Sequence, residues 1–172
     1  TGSVGALVGG RTWDAPQVNL ALARPGGGSG RQAGSSFKPF VLAKAFEHGF
    51  RPEKRYRAPS CARPRGFDKP VCNYGFSGYG SVDMRRAMHN SINTVFAQMI
   101  ADVGVKPTAE LAKRVGISGI DLNGKLYGVL ALGTQETSAL EMASAYGVFA
   151  NHGVRVEPTP VLRILHVKGN TV

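Results

Sequence analysis

Ser35 and Lys38 stand three residues apart in a stretch with helical patterning, so their side chains share one face. A serine hydroxyl becomes a useful nucleophile only when a neighbouring base takes its proton. A buried lysine with a lowered pKa can take it at neutral pH. A helix N-terminus at the same place adds backbone N–H groups and a positive dipole end, both suited to a developing oxyanion. Taken alone the pair is a weak motif, because a serine at a helix start is more often a cap than a nucleophile. Ser91-Ile92-Asn93 is a second candidate. On a tight connection between helices its hydroxyl can relay a proton and its amide can hold a peptide carbonyl. In isolation that tripeptide reads more readily as a cap for the helix that follows.

The elements that must position these residues follow from periodicity. An apolar stripe of Phe37, Phe40, Val41, Ala45 and Phe46 marks a helix from about Ser35, with Pro39 tolerated in its first turn and Gly49 as its stop. Helical stretches run from about Asp83 to His89 and from about Thr94 to Asp102, with Ser91-Ile92-Asn93 between them. Pro107 opens another through Arg114. Ser138 and Glu141 form a capping-box signature ahead of a helix ending near Gly153. Gly2 to Gly10 alternates as a strand, and Arg155 to Val167 reads as another. Lys168-Gly-Asn170 then reads as a turn, and Thr171 and Val172 as the start of a returning strand. The expected fold is α+β with one antiparallel sheet packed against helices, incomplete on its C-terminal side.

At 172 residues and 42% apolar content the chain can bury a core. No apolar run approaches the roughly 20 residues that cross a bilayer. The net charge is +10. Seven basic residues (Arg51, Lys54, Arg55, Arg57, Arg63, Arg65, Lys69) face only Glu53 and Asp68 in one loop-like stretch. That run reads as a solvated or weakly steering face in preference to a nucleic-acid patch, because Pro and Gly punctuation breaks up the nearby aromatics. Cys61 and Cys72 lie in the same stretch, so residues 51–77 read as a disulfide-closed basic loop in an oxidising compartment. Two free thiols in a reducing cytosol are the alternative. No C-x-x-C occurs and the four histidines lack ligand spacing, so no metal is expected. Gly28-Ser-Gly-Arg-Gln-Ala33 fits a dinucleotide fingerprint only formally, since no apolar strand precedes it.

The stretch Arg31-Gln-Ala-Gly-Ser-Ser-Phe-Lys-Pro-Phe40 resembles the active-site segment of penicillin-binding proteins. That resemblance places the nucleophile on Ser35 and leaves Ser36 as a helix-start residue, because only Ser35 lies three before Lys38. Ser91-Ile92-Asn93 fits the family's S-x-N motif, and Gly78-Tyr-Gly80 is similar to the approach to it. The segment from Leu130 to Tyr146, followed by Phe149-Ala-Asn-His-Gly153, is similar to the class A branch. The third family motif, Lys-Ser/Thr-Gly on a sheet-edge strand, is absent. Lys168-Gly169-Asn170 and Lys125 do not supply it. The expectation is a partial transpeptidase domain over residues 1–172, cut before that motif, with a second segment of the same protein carrying it.

The resemblance implies a peptidoglycan cross-linking D,D-transpeptidase that works through a serine acyl-enzyme on D-Ala-D-Ala stem peptides and is acylated by β-lactams. Its catalytic residues would be Ser35, Lys38 and Ser91, with Asn93 binding substrate, and no metal or organic cofactor would be needed. The partners would be peptidoglycan stem peptides and β-lactams, with no nucleic acid. The place would be the extracytoplasmic face of the bacterial cell membrane, anchored by a segment outside this chain. Rival readings are a D,D-carboxypeptidase or β-lactamase using the same serine, and a non-catalytic penicillin-recognising sensor or scaffold. The chain alone is expected to be inactive if its third motif is truly missing.

Overall fold

The structure, a computed structural model, describes residues 2–11 and 18–165. Its elements in chain order are β1 (Arg31–Gln32), α1 (Lys38–Glu47), β2 (Arg55–Ala58), β3 (Cys61–Ala62), β4 (Val71–Cys72), β5 (Gly80–Asp83), α2 (Met84–His89), α3 (Asn93–Val103), α4 (Val105–Arg114), β6 (Glu136–Thr137) and α5 (Ala139–Ala150). Short 3-10 turns at Gly34–Phe37 and Gly128–Leu132 complete the elements that matter for the site. The chain divides into two compact units. One holds Arg31–Arg114 and Ser118–Glu136, and the other holds the described parts of Thr1–Gly30, Val115–Ile117 and Thr137–Val172.

The first unit is built around α3. Thr94, Val95, Phe96, Ala97, Met99 and Ile100 on this helix are all fully buried, and a helix that is apolar all round belongs in a core. Against it pack α1, with Phe40, Val41 and Ala45 buried, and α4, with Ala109, Leu111 and Ala112 buried. β2 and β5 pair antiparallel, with Tyr56 opposite Val82 and Ala58 opposite Gly80. Period-2 alternation along β2 buries Tyr56 and Ala58 and leaves Arg55 and Arg57 exposed. Two polar ties hold this ribbon to α3: the Tyr56 hydroxyl donates to Asp102 at 2.9 Å, and Gln98 Nε2 donates to the Arg57 carbonyl at 2.8 Å. Asp83 caps α2 by accepting from the Arg86 N–H at 2.8 Å, satisfying one of the donors every helix start leaves open.

The basic stretch is more ordered than its Pro and Gly content suggests. It contains β2 and an antiparallel pair, β3 with β4, in which Cys61 and Cys72 face each other. Proline does not prevent these strands, because Pro59, Pro64 and Pro70 all stand outside the paired residues and remove no ladder donor.

In the second unit the capping box of α5 is present in full. The Ser138 hydroxyl accepts from the Glu141 N–H, and the Glu141 carboxylate accepts from the Ser138 N–H. The strands read at Gly2–Gly10 and Arg155–Val167 do not form among the described residues. Between them stands a single parallel bridge, Ser3 with Thr159, closed by the Val4 N–H on the Thr159 carbonyl and the Thr159 N–H on the Gly2 carbonyl, each 2.9 Å. Four glycines thin the first segment, and Pro158 and Pro160 remove ladder donors from the second. Val8 is 80% and Leu162 82% exposed, so their apolar alternation has no sheet face to cover. The α+β class holds, but the expected single antiparallel sheet does not form among the described residues: β2 with β5 and β3 with β4, within residues 55–83, are separate two-stranded antiparallel pairs. The turn at Lys168–Asn170 and the returning strand lie outside the described residues.

Candidate active site

Ser35 sits in the 3-10 turn Gly34–Phe37 that runs directly into α1, where Lys38 is the first residue and Pro39 occupies the tolerated early position. Ser35 is exposed and Lys38 fully buried. The turn therefore presents a hydroxyl outward while α1 carries the amine into the core behind it. Gly133 makes room for this arrangement. Its φ is +68°, its carbonyl accepts from the Gly34 N–H at 3.1 Å, and a Cβ there would collide with the Gly34 carbonyl oxygen and nitrogen.

Ser91 and Asn93 arrive from the junction of α2 and α3. Ser91 follows the C-cap of α2 with φ +52°, a left-handed conformation that helix ends ordinarily give to glycine. It holds both its carbonyl and its hydroxyl on Lys38, at 2.7 and 2.9 Å from Nζ. Asn93 opens α3. Its Oδ1 accepts from Lys38 Nζ at 2.6 Å, and its Nδ2 donates to the Cys72 carbonyl at 3.0 Å. Ser35 Oγ completes the ring at 3.0 Å from the same Nζ. The structure thus brings Ser35, Lys38, Ser91 and Asn93 to one point, although the two pairs are more than fifty residues apart.

All four oxygens around the amine belong to neutral groups. Burial without a carboxylate partner pushes the Lys38 pKa down from 10.5 to about 8. The Phe96 ring, with its centroid 5.5 Å from Nζ, closes the apolar side. The donor count constrains the chemistry. A neutral amine has two N–H donors and one lone pair. The Ser91 carbonyl and Asn93 Oδ1 only accept, and they are the two nearest oxygens. When they take the two donors, the lone pair is left for a hydroxyl proton, at Ser35 or Ser91. The arrangement can therefore deprotonate an exposed serine and pass the proton between two hydroxyls.

Cys61 and Cys72 form a disulfide with Cα atoms 4.0 Å apart. Their spacing alone gave no hint that the Cys72 carbonyl would hold Asn93. Gly133, Phe96 and Asn73 also went unnoticed in the sequence, because each acts on residues far along the chain. Among the described residues no group of three or more His, Cys, Asp and Glu side chains could hold a metal ion.

Comparison with known proteins shows the family to which the chain belongs. A family model for the penicillin binding protein transpeptidase domain matches residues 1–170. Penicillin-binding protein 1A of Aquifex aeolicus (strain VF5) is 34% identical over 179 residues, covering 100% of this chain and 23% of the relative. Penicillin-binding protein 1A of Neisseria cinerea is 35% identical over 162 residues, covering 91% and 19%. Among solved structures, penicillin-binding protein 1A from Haemophilus influenzae superposes with a TM-score of 0.78 at 30% identity, covering 96% of this chain and 24% of that one. PonA1 from Mycobacterium tuberculosis in complex with penicillin V gives 0.81 at 25%, covering 95% and 44%. The chain spans at most 23% of the length of these two curated relatives. With the family model spanning nearly every residue, the chain belongs to the penicillin-binding protein transpeptidase domain family.

Proposed function

We propose that this chain carries the acylating half of a D,D-transpeptidase site. Ser35 Oγ attacks the carbonyl of the penultimate D-alanine in a D-Ala-D-Ala stem peptide while Lys38 Nζ takes its proton. The peptide bond breaks, the Ser91 hydroxyl passes a proton to the leaving nitrogen, and free D-alanine departs from a Ser35 ester. The amine of a neighbouring stem peptide then attacks that ester, forms the cross-link and returns the hydroxyl. A β-lactam enters the same first step and stays bound as the ester of its opened ring. The observation that carries this reading is the buried, carboxylate-free amine of Lys38, within 3.0 Å of Ser35, Ser91 and Asn93. Asn93 is assigned to hold the substrate backbone, since its amide lies beside the nucleophile's base.

The relatives support β-lactam acylation, one of them solved in complex with penicillin V. The Cys61–Cys72 bridge favours an oxidising, extracytoplasmic location. No helix among the described residues is long and apolar enough to cross a membrane. The sequence has no Lys-Ser/Thr-Gly triplet. We assign that wall of the site to a further segment of the same protein, and the basic residues of the 51–77 stretch to a solvated face.

The test is intact-protein mass spectrometry of the full-length protein with and without benzylpenicillin, followed by peptide mapping. One adduct on Ser35, lost in Ser35→Ala, is the expected result. An adduct confined to another residue, or none on folded full-length protein, would overturn the reading. Release of D-alanine from a stem peptide, with product distributed between cross-link and hydrolysis, separates transpeptidase from carboxypeptidase.

A further inference from the structure

The first turn of a helix leaves backbone N–H groups with no partner inside the helix. At most starts a Ser, Thr, Asp or Asn in the N-cap position accepts from one of them. The N-cap of α3 is Ile92, which has no side-chain acceptor. The Thr94 N–H is nevertheless satisfied: it donates to Asn73 Oδ1 at 3.0 Å. Asn73 lies 21 residues upstream and is only 5% exposed. It does the work of a cap from another part of the chain.

The rest of the Asn73 amide is used too. Its Nδ2 donates to the Pro59 carbonyl at 3.0 Å and the Ser77 carbonyl at 2.8 Å, and its backbone N–H donates to the Ser60 carbonyl at 2.9 Å. Immediately before it, the Cys72 carbonyl accepts from Asn93 Nδ2, and Cys72 is bridged to Cys61. Consecutive residues 72 and 73 thus grip consecutive residues 93 and 94, one by a carbonyl and one by a side chain. The consequence falls on Asn93. With Nδ2 held by Cys72 and the following N–H held by Asn73, its Oδ1 can point only toward Lys38, where it lies at 2.6 Å.

We propose that Asn73 is a positioning residue of the site, its buried carboxamide capping α3 from a distance and so orienting Asn93 on Lys38. The inference rests on the reading that Ser35 is the acylated residue. It assigns Asn73 no contact with substrate. The two roles of its amide are separable: Oδ1 orients α3, while Nδ2 ties together the segments at Pro59 and Ser77.

The experiment follows acylation of the full-length protein by a fluorescent penicillin, alongside thermal unfolding, in Asn73→Ala, Asn73→Asp and Thr94→Val. Asn73→Ala loses both roles and should slow acylation about 10-fold or more, the scale of an unsatisfied buried N–H. Asn73→Asp keeps the acceptor for the Thr94 N–H and loses both donors. It should recover acylation to within about threefold of the unsubstituted rate while still melting early. Thr94→Val removes only the hydroxyl bond to the Pro59 carbonyl, 3.1 Å in the structure. It should lower the melting temperature without slowing acylation.

The proposal is overturned if folded Asn73→Ala acylates at the unsubstituted rate. It is equally overturned if Asn73→Asp is as slow as Asn73→Ala. Should Asn73→Ala fail to fold, Asn73→Asp decides alone: near-normal acylation at a lowered melting temperature supports the inference, and slow acylation refutes it. Failure of the unsubstituted protein to form a Ser35 adduct would instead defeat the underlying reading, which the mapping experiment detects on its own.

Discussion

α3 meets a lysine at each end, and the two are treated in opposite ways. At its first residue, Asn93, it receives Lys38, fully buried and surrounded by four uncharged oxygens. Near its last turn Asp102 receives Lys54, whose side chain is 34% exposed and pairs with the carboxylate at 3.1 Å. Lys54 also lies over the Phe50 ring, 3.2 Å from its centroid. In half-exposed surroundings the net contribution of such an ion pair is small. Burial with no counter-charge to offset it favours the neutral amine instead. The difference teaches that Lys38 is fitted to the base role proposed for it by what is withheld from it, namely solvent and a counter-charge.

Removing each lysine should break that comparison most sharply. Lys38→Ala is expected to slow penicillin acylation by at least about 100-fold, the lower end of what a positioned general base contributes. Lys54→Ala should leave the acylation rate unchanged. The pH dependence follows from the same contrast. Lys38 is protonated below about 8 and neutral above it, so acylation should climb with pH and level off beyond that value. Between about 8 and its ordinary 10.5 the unfolded chain carries the extra proton, so folding stability attributable to Lys38 should rise with pH over that window. A pH–rate curve flat from 6 to 9 would remove Lys38 as the base.

Gly133→Ala tests the wall behind Ser35 with a smaller effect. The added Cβ meets the Gly34 backbone at a left-handed φ of +68°, and strain of this kind costs roughly 1–3 kcal/mol. Acylation about 10-fold slower, measured beside a lowered melting temperature, is the expected outcome. Opening the Cys61–Cys72 bridge with the paired Cys61→Ser and Cys72→Ser changes should cost roughly 2–3 kcal/mol of stability in denaturant titration. The acylation rate should fall several-fold, because Asn93 keeps its partner carbonyl but loses that partner's anchor. The smallest effect is the stability change of Lys54→Ala, about 0–1 kcal/mol. A larger loss there would mean the exposed pair is coupled to the Tyr56–Asp102 bond.

The helical elements were legible because each depends on neighbours in sequence. The stripe of α1 (Phe37, Phe40, Val41 and Ala45, but not Phe46, which is exposed), the Gly49 stop, the Ser138–Glu141 box and the break between α2 and α3 stand where periodicity and capping chemistry put them. The strands were less so. Val4, Ala6 and Val8 alternate like a strand, yet a strand exists only where another segment offers a ladder, and that is not a local property. For the same reason β2, which does find β5, lay hidden in a basic stretch that read as a loop.

The candidate site divides along the same line. Residue types and spacing marked Ser35 with Lys38, and Ser91 with Asn93, because an i, i+3 pair and a tripeptide are short-range facts. Only the tertiary structure decided that the two pairs share one amine. It alone showed that the amine is buried, that Gly133 vacates space beside Gly34, and that Asn73 caps a helix 21 residues away. Distance along the chain is invisible to pattern. A pKa, a clash and a borrowed cap depend on what surrounds a group in space, and the packing of α1 against α3 set those surroundings.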